Sequence, residues 1–99
     1  MQPAILIACP TYQGMKYCIN EFIQRLNQLT YPNYDILIVD NSNTLDYYNY
    51  LKELTKSTEI LILRDDCNLP DGMDKLIHSR NFIRDYFLKN NYDYLFTMD

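Results

Sequence analysis

Four short apolar runs punctuate the chain, at residues 4–9 (AILIAC), 36–39 (ILIV), 60–63 (ILIL) and 94–98 (YLFTM). The first three are dense in isoleucine, leucine and valine. Runs this short, without polar alternation, suit strands buried on both faces, as in a parallel sheet. Pro3 precedes the first run and Pro10 ends it, the positions that a strand leaves to proline. With their flanks, the third and fourth strands are expected at 59–64 and 93–98.

Between the runs the period changes. Cys18, Phe22, Leu26 and Leu29 recur at helical spacing from about Met15, with Ile19 and Ile23 widening the stripe. Leu45, Tyr48, Leu51 and Leu54 mark a second helix, which Asn43 can cap and which carries Asp46 in its first turn. A third helix is expected over 73–89, with Met73, Leu76, Ile77, Ile83 and Phe87 on one face. Loops are expected at 10–14, at Tyr31-Pro32-Asn33, at 40–43 and at 65–72, and Asn90-Asn91 breaks the third helix.

The resulting β-α-β-α-β-α-β alternation predicts an α/β fold: a Rossmann-like parallel sheet in the order 3-2-1-4, with right-handed crossovers and helices on both faces. The winding reverses between strands 1 and 4, and open α/β sheets bind ligands at the carboxyl edge beside such a reversal. Thr11 follows strand 1 and Asp99 follows strand 4, so both flank that crevice. Asp40 ends the 36–39 run one strand away, in Asp40-Asn41-Ser42-Asn43. It either serves a ligand or only caps the next turn; the convergence of three polar residues on one edge favours the ligand.

At 99 residues the chain is expected to be a single domain, 1–99. A net charge of −4 without a basic cluster argues against nucleic acid as a partner. No apolar run approaches the ~18 residues that span a bilayer, so no transmembrane segment is expected. Cys9, Cys18 and Cys67 are odd in number and lack C-x-x-C spacing. They read as thiols in a reducing compartment, which makes a cytoplasmic location the expectation.

Neither G-x-G-x-x-G nor a P-loop is present, and the only glycines are Gly14 and Gly72. A nucleoside diphosphate on this edge would have its charge met instead by a divalent cation on carboxylates at the end of strand 4. Pro10-Thr11-Tyr12, the 31–42 segment YPNYDILIVDNS, Ser79-Arg80-Asn81 and the 94–99 segment YLFTMD together resemble the N-terminal half of a family 2 glycosyltransferase. The resemblance covers the whole chain in the right order, although each motif alone is weak.

The resemblance implies a GT-A fold and an inverting sugar transferase that takes a nucleotide-activated sugar donor with manganese or magnesium. It implies that Pro10, Thr11 and Tyr12 line the nucleoside pocket and that Asp40 accepts a hydrogen bond from the base. Asp99 becomes the first carboxylate of a D-x-D motif, near the ribose and the metal. The second carboxylate, the acceptor-binding half and the usual catalytic base have no counterpart in these 99 residues. The chain is therefore expected to be the nucleotide-binding half of such an enzyme, a fragment, split product or remnant.

Arg80 falls near the middle of the expected apolar face of the third helix, where an unpaired charge is costly. It either snorkels or pairs with Asp65 or Asp66, or it reaches the crevice, as the Arg-Asn of the resembled family does; the second is favoured. Lys75 is a weaker candidate for that role. His78 reads as structural, and Asp65-Asp66 as a solvated loop. A receiver-like signalling domain would need an acidic pair after strand 1, where this chain has Cys9-Pro10-Thr11. The remaining alternative is a non-catalytic module that binds nucleotide-sugar or a partner protein.

Overall fold

The fold is built outward from two strands, β1 (Ile5–Thr11) and β2 (Tyr34–Asp40). The computed structural model describes residues 3–28, 33–42, 44–66 and 72–98. Along β2, Ile36 and Ile38 face one layer, and Leu37 and Val39 face the other. Burying such side chains stabilises the fold by roughly 1.5–3 kcal/mol each. The unbroken apolar run is therefore the signature of a strand sandwiched between two layers.

Strand β3 (Leu61–Arg64) pairs with β2, and β4 (Tyr94–Thr97) pairs with β1, all in parallel. The sheet order is β3-β2-β1-β4, as the alternation predicts. Helices α1 (Lys16–Leu26) and α2 (Leu45–Leu54) cover one face through Ile19, Ile23, Leu26, Tyr47 and Leu51. Helix α3 (Gly72–Lys89) covers the other, placing Ile83 against Leu6, Ala8, Leu37 and Val39. Two crossovers running one way and a third running back place their helices on opposite faces when all are right-handed. Among the described residues no helix is long and apolar enough to cross a membrane.

Several expected boundaries shift. Pro10 and Thr11 belong to β1 and not to a loop, pairing with Val39 and Asp40. The hydrogen bonds explain how a strand holds this proline. Ile5 donates to Asn33 O and Thr11 O accepts from Asn41 N, so odd residues of β1 face β2. Ala4 O and Ala8 O accept from Tyr94 N and Met98 N, so even residues face β4. The N–H that Pro10 lacks would point towards β4, and pairing with β2 continues past it.

Helix α2 is rotated from the expected stripe: Tyr47 and Leu51 point inward, whereas Leu45 is exposed. Tyr47 can enter the core because its hydroxyl finds a partner there. On α3, Ser79 and Ile83 are the buried positions, Met73 and Ile77 are exposed, and Arg80 stands outward. The outward turn of Arg80 corrects its expected place in the apolar face. Leu29, the turn at Tyr31-Pro32, the Asn43 cap, Cys67, Pro70 and Asp99 lie outside the described residues.

Candidate functional site on the carboxyl edge of the sheet

Because all four strands run in parallel, their carboxyl ends share one edge, and Thr11 and Asp40 are direct register partners on it. The Thr11 hydroxyl lies 3.0 Å from the Tyr47 hydroxyl, both buried beneath the edge. Burial pushes the Tyr47 hydroxyl up to about 12; the bond with Thr11 opposes that rise and the nearby Asp40 charge adds to it.

Tyr12 follows in extended conformation and leads into a 3-10 turn, Gln13–Met15, whose Met15 N–H donates to Tyr12 O at 2.9 Å. The Tyr12 ring is half exposed and lies over Gly14. A Cβ placed on Gly14 would stand 2.5 Å from Cε2 of that ring, so only glycine admits the ring there. Beside it, between β1 and α1, is a mainly apolar cleft of about 320 Å3 lined by residues that include Cys9, Pro10, Thr11, Met15, Cys18 and Phe22. Cys9 and Cys18 are reduced thiols, buried and half-buried.

Asp40 is fully buried. Its Oδ1 accepts from Ser42 N–H at 2.9 Å, the turn-capping bond that its sequence context allows. Its Oδ2 accepts from Arg64 Nη1 at 3.1 Å. Arg64 also donates to Thr44 O and Ser42 O, at 3.1 and 2.9 Å, and stands 3.6 Å from the exposed Asp66 carboxylate. A carboxylate without solvent needs such a partner. Sequence reasoning missed Arg64, and the signal was available: in the order 3-2-1-4, the last residue of strand 3 lies opposite the last of strand 2.

Asp65 is buried, which corrects its reading as a solvated loop residue. Its backbone N–H donates to Asp40 O at 2.8 Å. Its Oδ2 accepts from the Ser79 hydroxyl at 2.8 Å and meets His78 Nδ1 at the same distance. Asn41 Nδ2 donates to Ser79 Oγ at 3.1 Å, and Lys75 Nζ donates to Asn41 O at 3.4 Å. His78 thus ties α3 to the end of β3.

The structure therefore brings Pro10, Thr11, Tyr12 and Asp40 together and leaves Arg80 exposed on α3. No protein-family model, curated protein or solved structure matches the chain. The edge must be read from its own chemistry. Among the described residues no group of three or more histidine, cysteine or acidic side chains could hold a metal ion. Each Asp40 oxygen accepts a bond within the protein, and Asp65 Oδ2 is held by Ser79 and His78. The described residues do not fit a divalent cation, so the metal expectation rests on Asp99, outside them.

Proposed function

We propose that this chain binds the nucleoside diphosphate of a sugar donor at the carboxyl edge of its sheet, as the nucleotide-binding half of a family 2-like inverting glycosyltransferase. The observation that carries this reading is the reversal between β1 and β4 in a parallel sheet, with Pro10, Thr11 and Tyr12 beside it. Crevices at such reversals are where open α/β sheets take nucleotides. The exposed Tyr12 ring supplies a stacking surface for a base. Asp40 serves the base only when Arg64 moves off Oδ2, which makes binding weak. Arg80 meets the diphosphate from α3. Manganese or magnesium on Asp99 would complete the charge balance.

A non-catalytic nucleotide-sugar-binding module is the second reading. It is favoured by the absence, among the described residues, of a carboxylate group able to hold a metal.

Titration calorimetry with uridine, guanosine and cytidine diphosphates, with and without manganese, tests the proposal. Weak binding is expected, strengthened by manganese and reduced by Tyr12→Ala, Asp40→Asn and Arg80→Ala. Absence of binding to every nucleoside diphosphate, in variants and parent alike, would overturn it. Binding without any metal response would favour the second reading.

A further inference from the structure

Ser42 carries a hydroxyl that the protein itself does not use. The residue is 4% exposed, and its Oγ is buried without a hydrogen-bond partner. Such a group costs stability, because it has given up water and received nothing in return. On the same edge the buried side chains of Thr11, Asp40, Asn41, Asp65 and Ser79 all make hydrogen bonds. The Ser42 hydroxyl stands out against them.

Its neighbours define what it can meet. Ser42 N–H donates to Asp40 Oδ1 at 2.9 Å, whereas Arg64 Nη1 donates to Oδ2 at 3.1 Å. Ser42 and Arg64 therefore flank one carboxylate on its two sides, and each carboxylate oxygen has a lone pair to spare. Arg64 is the outermost of the three, its side chain 17% exposed against 0% for Asp40. The exposed Asp66 carboxylate lies 3.6 Å from Nη2. The guanidinium is thus the group that yields when a ligand enters, and it has a second acid beside it.

We propose that Ser42 is a base contact of this edge: with Arg64 and Asp40 it forms a row that pairs with the face of uracil or guanine where a ring N–H lies between two polar groups. The inference rests on the reading of the edge as a nucleoside diphosphate site. The ring N–H goes to Asp40, and a neighbouring carbonyl accepts from Arg64. The remaining group goes to Ser42, whose hydroxyl donates to the second carbonyl of uracil or accepts from the amino group of guanine. Cytosine has its amino group between a ring nitrogen and a C–H, so one member of the row stays unpaired. The unused hydroxyl is then the cost, in the empty protein, of a contact made only with the base.

Calorimetry with uridine, guanosine and cytidine diphosphates reads the preference, and urea melts read the cost. UDP or GDP should bind about tenfold more tightly than CDP, and the better of the two identifies the base. Ser42→Ala should weaken that nucleotide about tenfold and CDP less than about twofold. The 3-methyluridine and 1-methylguanosine diphosphates, which lack the ring N–H, should bind no better than CDP. Without nucleotide, Ser42→Ala should melt at a urea midpoint equal to or above the parent's, since it removes an unpartnered buried group. A lower midpoint would mean that the hydroxyl serves the fold, through a buried water, and would overturn the proposal. So would a preference for CDP, equal binding of all three, or a Ser42→Ala effect that is absent or the same for each. Those outcomes leave the nucleotide reading standing; failure of every nucleotide to bind removes both.

Discussion

Tyr47 and Gly14 each act through one contact. The buried Tyr47 hydroxyl keeps its proton to about pH 12 in the folded chain, against 10.0 when unfolded. Its contribution to stability is whole below pH 10 and is lost as pH rises from there towards 12. Tyr47→Phe lacks the titrating group. Urea melts between pH 8 and 11.5 should show the parent losing stability more steeply than this variant above pH 10; parallel declines would contradict the assignment. Gly14 bears on the ligand instead. Gly14→Ala pushes away only the far end of the Tyr12 ring, so stability should stay within about 0.5 kcal/mol. Nucleotide affinity should fall by part of the ~1–3 kcal/mol that stacking supplies. In a Tyr12→Ala background the same change should do nothing, which calorimetry on the four-member cycle checks. Of the candidate site, the residue types that end the strands were legible. Of their partners, Arg64 was legible only through the strand order that sets it opposite Asp40, and Tyr47 was not legible, since it reaches Thr11 across 36 positions of sequence.

At the scale of elements, every strand and helix among the described residues was legible from its hydrophobic period, and the misplacements have one cause. Periodicity marks apolar side chains, whereas polar bonds decided which face of α2 and α3 turned inward. Ser79 is buried because Asp65 and Asn41 need its hydroxyl, and Tyr47 because Thr11 meets its own. The junction of β3, β2 and α2 depends in the same way on Arg64. Its guanidinium joins Asp40 to the carbonyls of Ser42 and Thr44, spanning the connection into α2. Arg64→Met keeps the length but leaves Asp40 buried beside an apolar group. The expected cost is about 3–5 kcal/mol, read as a lower urea midpoint with an unchanged slope, and a loss under 1 kcal/mol would mean that Asp40 is held by Ser42 alone.

For the whole molecule, the order β3-β2-β1-β4 follows from consistent local signals, because consecutive parallel strands joined by right-handed crossovers leave few alternatives. Which edge strand is buried was less legible: the apolar run at 94–98 reads like the others, yet most of its side chains are exposed. Composition does not distinguish a strand with two covered faces from one with a single covered face. Pro10 gives this arrangement its asymmetry. In a strand of any other residue, the amide at position 10 would take the next rung, to Met98 O, and draw the two strands together up to their ends. The missing proton removes that one rung, while β1 stays closed against β2. The asymmetry of β1 is thus written into its backbone covalently: its carboxyl end goes on bonding to β2 through Thr11 and has no amide to offer on its other side at position 10.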